Sequence, residues 1–316
     1  MNYMNRSISL SVAFLAVTFF LLSFTLSANA QTLYSCESPS GGDNPFLHTI
    51  SPNTGATLST TEMTLAGQTV RGCNGMAKHP QTGVCYVMLN ITPDPDGGPI
   101  PPRILATIDQ DTGVATAIGG ADQTFATIAF TADGTLYGVT GDGGGTPETL
   151  FRIDANNGNT TLIAPLGNGD DGEVIAFNPV DGLMYHGSGN GAPYNDPDGQ
   201  IFEALSINPG FIQIFPRTIQ GPPVDDTFFE QSSMVYQSNN VFLTGTIDEY
   251  FFSISSGGFV TMLGEMDHVS KGLAFDCGFA DNVGVPTMSE WGLITTVLAL
   301  GLVSFFVLRR RSAFQK

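Results

Sequence analysis

The sequence predicts an all-β protein, a five-bladed β-propeller closed by strands from both ends of its folded part, followed by a C-terminal transmembrane helix. Two observations support this prediction. A pattern of four short strands recurs five times without helical periodicity. An apolar segment near the C-terminus ends in three arginines, as a membrane span does on its cytoplasmic side.

The first two strands of each repeat are recognised by their residue types. The first is apolar and centred on a small residue, at Met76-Ala77, Ile128-Ala129-Phe130, Ile175-Ala176-Phe177, Met234-Val235-Tyr236 and Leu273-Ala274-Phe275. The second carries an aromatic residue, at Tyr34, Tyr86, Tyr137, Tyr185 and Phe242. Short strands of this kind, separated by turns, are typical of a propeller blade.

The third strand of each repeat ends in a turn that contains a glycine, and a fourth strand follows. Asp or Ser opens the turn by bonding the backbone two residues on, and glycine tolerates positive φ. The glycines are Gly55, Gly113, Gly158, Gly210 and Gly258. Their spacings of 58, 45, 52 and 48 residues predict five blades.

The order of the repeats is circularly shifted, which predicts how the ring closes. Leu33-Tyr34-Ser35 is a second strand without a preceding first strand, and the missing strand, 273–276, arrives last. We expect the two to pair in one blade. The pattern resembles secreted propellers with quinoprotein-like and NHL-like repeats over about 250 residues, a resemblance that implies no catalytic set. A β-sandwich with coincidental turns is the alternative.

The predicted propeller, residues 31–284, is strongly acidic. It holds 28 acidic and 6 basic residues, a net charge of −22. This balance excludes a nucleic-acid binder that works by neutralising phosphates. A mean hydropathy of +0.11 and 23 phenylalanines for the whole chain exclude a disordered protein.

Residues 1–30 predict a secretory signal peptide. Arg6 provides the positive start, 8–26 is an almost unbroken apolar run, and Ala28-Asn29-Ala30 is a small-x-small cleavage site. An uncleaved N-terminal anchor is the alternative, because the run is long for a signal. In either case the chain uses the secretion machinery.

Residues 292–308 predict the transmembrane helix, and 309–316 a basic cytoplasmic tail. The 17 uncharged residues would form a helix of roughly 25 Å, enough for the hydrocarbon core of a bilayer. Trp291 stands at one end, and Arg309, Arg310 and Arg311 stop transfer at the other. A buried core helix is the poorer alternative.

A sorting motif, residues 285–292, precedes this helix. Val285, Pro286, Thr287, Met288, Trp291 and Gly292 resemble the IPTL-CTERM signal, whose pattern is Ile-Pro-Thr-Leu-x-x-Trp-Gly, a membrane helix and a basic cluster. Val285 and Met288 depart conservatively from it. The resemblance implies an exosortase-type protease as partner in a Gram-negative bacterium. It also implies inner-membrane anchoring before processing, then transfer to the outer surface or extracellular matrix.

Four cysteines in an exported chain predict two disulfides. We call the face where first strands begin the top face. Propeller geometry places Cys36 and Cys73 at the top and Cys85 and Cys277 at the bottom of blades one and two. The geometry therefore favours Cys36–Cys73 with Cys85–Cys277, and Cys36–Cys277 with Cys73–Cys85 is the alternative.

Acidic residues precede the first strand in four of the five blades, where we expect them to ring the mouth of the central channel. They are Asp122, Asp170, Asp171, Asp225, Asp226 and Asp267. Oxygen ligands of this kind suit Ca²⁺, either as a structural ion or as a bridge to an anionic extracellular polysaccharide. The alternative is that these acids are solvated turn formers.

The sequence gives little sign of catalysis. No Gly-x-Ser-x-Gly, His-Glu-x-x-His or phosphate-loop motif occurs, and Asp267-His268 is the one acid–base pair expected near the channel mouth. We therefore predict a non-enzymatic binding, adhesion or structural protein. The alternative is a secreted Ca²⁺-assisted hydrolase or lyase that acts on a polysaccharide or lactone at the top face.

Overall fold

The computed structural model describes residues 31–38, 45–92, 103–141, 145–166, 173–188, 201–208, 211–221 and 230–277. All of them belong to one compact unit, residues 31–281. The predicted signal peptide, sorting motif, membrane span and basic tail lie outside the described residues. Within these residues, no helix has the length and apolar character needed to cross a membrane.

The described residues form 21 strands. In chain order they are β1 (Leu33–Glu37), β2 (Phe46–Ile50), β3 (Thr57–Glu62), β4 (Thr64–Leu65), β5 (Thr69–Lys78), β6 (Cys85–Thr92), β7 (Arg103–Ile108), β8 (Val114–Ala121), β9 (Phe125–Phe130), β10 (Leu136–Thr140), β11 (Thr149–Ile153), β12 (Thr160–Pro165), β13 (Val174–Asn178), β14 (Leu183–Ser188), β15 (Ile201–Asn208), β16 (Phe211–Pro216), β17 (Gln231–Ser238), β18 (Val241–Thr246), β19 (Tyr250–Ser255), β20 (Val260–Glu265) and β21 (Ser270–Phe275).

These strands build the five predicted blades. From the inside outwards, blade 1 is β21-β1-β2-β3, blade 2 is β5-β6-β7-β8, blade 3 is β9-β10-β11-β12, blade 4 is β13-β14-β15-β16 and blade 5 is β17-β18-β19-β20. The innermost strands contact one another in a closed ring. They surround an axial cavity of about 160 Å³, lined by the apolar triplets that the sequence pattern identified. The all-β, five-bladed prediction is confirmed.

The ring closes as predicted, within blade 1. Strand β1 pairs antiparallel with β21, with Tyr34 opposite Ala274 and Leu33 opposite Phe275. The first segment of the folded unit and its last strand therefore share one sheet. Main-chain hydrogen bonds between the first and last strands of the folded unit hold the propeller together at this point.

Each of the five contact regions between neighbouring blades, which we call seams, has an apolar cluster. Alternate residues of a strand face opposite sides of the sheet, so each blade contributes side chains to two seams. Phe125 and Phe151 of blade 3, for example, pack against Met88 and Leu105 of blade 2. Burial of these five clusters is the main source of cohesion between blades.

The glycine turns also join neighbouring blades. Gly55, Gly113, Gly158 and Gly258 all have positive φ, as the turn pattern predicts. A side chain on Gly113 would collide with Glu62 at the end of β3, and one on Gly258 would collide with Thr218 after β16. Each turn thus packs against the outer part of the preceding blade, where only a glycine fits.

One sheet differs from the predicted four strands. Strand β4 pairs parallel with β8, which gives the sheet of blade 2 a fifth strand. The reason is that β8 would otherwise be an exposed edge with unpaired backbone groups. The chain that leads from blade 1 to blade 2 covers part of that edge.

The disulfides follow the favoured pairing. Cys36 is bonded to Cys73 with a Cα–Cα distance of 6.0 Å, and Cys85 to Cys277 with 5.3 Å. All four sulfurs lie in the apolar cluster between blades 1 and 2. The two covalent links therefore cross the seam beside the strand pair that closes the ring.

Candidate functional site

Buried histidines lie among the apolar side chains of two seams. In blade 4, His186 is two residues beyond Met184, and Met184 packs against blade 3, so His186 faces the same seam. In blade 1, Ser35 is two residues beyond Leu33, which packs against blade 5. We call these groups the His186 cluster (Glu173, His186, Ser188, Glu203) and the His48 cluster (Ser35, His48, Asp267, His268).

In the His186 cluster an imidazole is held between two carboxylates. Nδ1 of His186 lies 3.0 Å from Oε1 of Glu203, and Nε2 hydrogen-bonds Oε2 of Glu173. The hydroxyl of Ser188 donates to the other oxygen of Glu173 at 2.8 Å. All four residues are buried. Strand pairing explains the arrangement, because His186 and Glu203 are direct partners in β14 and β15.

The two glutamates keep His186 protonated. Burial alone lowers its pKa, but the charges and hydrogen bonds of Glu173 and Glu203 outweigh that effect and raise the pKa to about 9. At neutral pH the imidazolium therefore donates from both ring nitrogens. It satisfies two buried carboxylates whose burial without a partner would be costly. Chemically, the cluster is an internal ion triad with no ring nitrogen free for a substrate.

The His48 cluster lies in the seam between blades 5 and 1. The rings of His48 and His268 stack with centroids 3.7 Å apart and planes 9° from parallel. Nδ1 of His268 donates to Oδ1 of Asp267 at 2.8 Å, and Nε2 lies 2.8 Å from the Ser35 hydroxyl. The second and third strands of blade 1 thus supply Ser35 and His48, and the connection from β20 to β21 supplies Asp267 and His268.

His48 is the unsatisfied member of this cluster. The residue is 6% exposed, and neither ring nitrogen makes a hydrogen bond. Nε2 lies 3.3 Å from Oε2 of Glu37 but without hydrogen-bond alignment. Burial and the neighbouring His268 lower the pKa of His48, against a smaller opposing effect of Glu37 and Asp267. A buried imidazole nitrogen without a hydrogen bond, such as Nδ1 here, is costly unless another group completes it.

The structure describes two of the six residues predicted for a Ca²⁺ site, and it places them apart from the channel. Asp122 accepts a hydrogen bond from Thr160 in β12 at 2.6 Å, and Asp267 accepts one from Thr57 in β3. Both donors belong to outermost strands, roughly 14 Å from the innermost strand at the usual strand spacing.

The expected position at the channel mouth is therefore wrong for these two aspartates. The chain that crosses between blades passes the outer edge of the next blade before it reaches the innermost strand. Since Asp122 lies beside blade 3 and Asp267 beside blade 1, they do not share an ion. Asp170, Asp171, Asp225 and Asp226 lie outside the described residues, so the Ca²⁺ hypothesis stays untested for them.

The expected Asp267–His268 pair forms, but its surroundings could not be read from the sequence. His268 reaches His48 and Ser35, which are more than 200 residues away along the chain. The His186 cluster was missed entirely. One feature of the sequence marks both the His48 cluster and the His186 cluster. In blades 1 and 4 the residue after the second-strand aromatic is polar: Ser35 follows Tyr34, and His186 follows Tyr185.

The C-terminal segment of the chain matches a known sorting motif, and solved structures resemble the propeller. Residues 284–311 match the IPTL-CTERM motif. The chain carries an IPTL-CTERM sorting signal. This motif indicates a secreted, membrane-anchored cell-surface protein and implies an exosortase-type sorting system. No curated protein is significantly similar to the sequence.

Solved structures resemble the propeller. A protein of unknown function from Bacteroides caccae is 14% identical, with 78% of this chain and 98% of that one covered and a TM-score of 0.45. An auxiliary nutrient binding protein from Bacteroides thetaiotaomicron is 10% identical, with 76% and 63% covered and a TM-score of 0.44.

Proposed function

We propose that this chain is an exported propeller displayed at the outer surface or in the extracellular matrix of a Gram-negative bacterium, where it has a non-catalytic binding, adhesion or structural role. An exosortase-type protease would recognise residues 285–292 and process the chain there. The propeller would be the displayed part, and the C-terminal segment a temporary membrane anchor.

One observation carries the proposal: the strand that leads to the sorting motif is covalently fastened. Cys277 follows β21 and is bonded to Cys85 in β6 of blade 2. Six residues, 278–283, separate it from the matched motif. A pull on the C-terminal attachment would act first on β21, and the disulfide passes that load to the neighbouring blade. Such a fastening suits a protein that is held at a surface through this end.

The chemistry of the described histidines supports a role without catalysis. Both ring nitrogens of His186 are bonded to carboxylates, and His48 and His268 are buried within a seam. Asp267, His268 and Ser35 form an acid–base–hydroxyl chain, but the Ser35 hydroxyl is buried as well. A general acid or base needs a ring nitrogen within reach of its substrate. The rival function, a hydrolase or lyase acting on a polysaccharide or lactone, would need its substrate to reach these buried groups, or would need groups from segments outside the described residues.

Cell fractionation tests the sorting part of the proposal. The full-length protein should reach the outer surface or medium in a host with its exosortase and stay in the inner membrane when that enzyme is deleted. The double variant Pro286→Ala with Thr287→Ala should behave like the deletion, whereas Ser289→Ala, at a position that the motif leaves free, should be sorted normally. Normal sorting of the double variant would contradict the proposal.

A further inference from the structure

We propose that the His48 cluster binds a divalent transition-metal ion, with His48, His268 and Asp267 as its three protein ligands. One candidate ligand atom from each residue lies within 4.8 Å of the other two. This site differs from the Ca²⁺ site expected at the channel mouth. It lies in a seam between blades, two of its three ligands are histidines, and it would take a different class of metal. It also does not depend on the proposed surface role.

The unsatisfied state of His48 is the second observation. Its ring is buried, Nδ1 has no hydrogen-bond partner in the protein, and the only polar contact of Nε2 is Glu37 at 3.3 Å. A native core seldom leaves a buried ring nitrogen such as this Nδ1 unpaired. A metal ion beside the ring would accept a lone pair from the unpaired nitrogen. This would remove the free-energy cost of burying that nitrogen without a partner.

Each imidazole also has a supporting group at the nitrogen that the ion would not use. Glu37 lies 3.3 Å from Nε2 of His48, and its other carboxylate oxygen accepts the Phe46 amide at 2.9 Å. The Ser35 hydroxyl lies 2.8 Å from Nε2 of His268. Metal-bound histidines usually have such a partner on the second nitrogen, which orients the ring. Nδ1 of each ring is then left for the ion.

The donor set indicates the metal class. Two imidazole nitrogens and one carboxylate oxygen suit Zn²⁺ and its transition-metal neighbours, whereas Ca²⁺ and Mg²⁺ prefer oxygen ligands alone. The ion would replace the proton between Nδ1 of His268 and Oδ1 of Asp267, now 2.8 Å apart. Because the two rings are stacked in parallel, one must turn to direct its lone pair at the ion.

Access and position suggest what the ion does. The Asp267 side chain is 65% exposed, so the ion would enter from solvent on that side, and water would fill the fourth position. His48 belongs to the third strand of blade 1, and His268 belongs to the connection from blade 5. The ion would therefore tie the connection between blades 5 and 1 to a strand of blade 1, beside the point where the ring closes.

Titration of Zn²⁺ into the metal-stripped, full-length protein in mild detergent tests the proposal. We expect one Zn²⁺ per chain, a rise in melting temperature, and no competition from excess Ca²⁺ or Mg²⁺. Asp267→Asn should weaken binding by about tenfold or more, at least the loss found when an outer-shell partner of a metal ligand is removed. Because this side chain is exposed, the variant should fold even if His48→Ala does not.

His79→Gln is the matched control, since His79 lies in the turn after β5 of blade 2 and contacts Phe130 instead of the cluster. It should bind Zn²⁺ as the wild type does. Absence of Zn²⁺ binding by the wild type, or equal binding by Asp267→Asn and the wild type, would overturn the proposal. Either result would leave the sorting and display role unaffected, because fractionation measures that role separately.

Discussion

Ser35 in blade 1 and His186 in blade 4 occupy the same position in their blades. Each follows the aromatic residue of its second strand and pairs with the first residue of an apolar triplet in the innermost strand, Leu273 for Ser35 and Ile175 for His186. The equivalent positions in blades 2 and 3 hold Val87 and Gly138. In blade 5 the residue opposite the first triplet residue, Met234, is Thr244, whose hydroxyl is buried and hydrogen-bonded to the Ser233 carbonyl. Three blades therefore place a hydrogen-bonded polar side chain at this position, and two place an apolar or small residue there.

The ion triad of blade 4 should make stability depend on pH. His186→Gln leaves Glu173 and Glu203 buried without their cation, which should lower the free energy of unfolding by about 3–5 kcal/mol at neutral pH. The pKa of His186 is raised from 6.5 to about 9 on folding. Its contribution is thus complete below about pH 6.5 and is lost as the pH rises through about 9.

Urea unfolding of both proteins at several pH values measures this effect. The difference between wild type and His186→Gln should shrink by about 3 kcal/mol across that range, by the usual conversion of a pKa shift. Ser188→Ala is the control, because it removes one hydrogen bond to Glu173 and leaves the imidazolium in place. A difference that stays constant with pH would show that His186 is not charged in the folded state.

Two adjacent glycines of β8 provide a matched test of how blades 2 and 3 pack. A side chain on Gly119 would overlap the carbonyl oxygen of Asn157 in the turn of blade 3, whereas one on Gly120 would have no atom within 4 Å. Gly119→Ala should therefore cost about 1–3 kcal/mol, as overpacking does. Gly120→Ala should stay within about 0.5 kcal/mol of the wild type. Equal effects on thermal unfolding would contradict this packing.

The disulfides should contribute unequally. Cys85–Cys277 closes a separation of 192 residues and Cys36–Cys73 one of 37. The chain-entropy model gives about 5 and about 4 kcal/mol, so replacing the first pair by serines should lower stability more. Unfolding of the two double variants, compared without reductant, checks the order. A larger loss for Cys36→Ser with Cys73→Ser would contradict the order that loop length predicts.

The fold could be predicted because it is repeated. Five copies of one pattern report the strand types, the turn glycines and the circular shift that pairs Leu33 with Phe275. The disulfide pairing followed from the same geometry, since opposite faces of the ring separate Cys36 and Cys73 from the other two cysteines. Periodicity is sufficient for these features because each depends on the order of strands and not on individual side chains.

The polar clusters could not be predicted because they depend on contacts that no repeat encodes. His186 and Glu203 become partners only through the register of β14 and β15, on either side of a long connection. His48 meets His268 only after the ring has closed. The order of strands places Asp267 just before an innermost strand, and therefore near the channel. It does not show that the connection to this strand runs along the outer edge of blade 1, where Asp267 contacts Thr57.

Polysaccharide binding and turnover, measured together on the full-length protein, test the central claim of a displayed propeller that acts without catalysis. Retention on a panel of extracellular polysaccharides with no product released is the predicted result. Product that accumulates in proportion to protein concentration would contradict it. Loss of that product in the double variant Asp267→Asn with His268→Ala would then assign the chemistry to the His48 cluster.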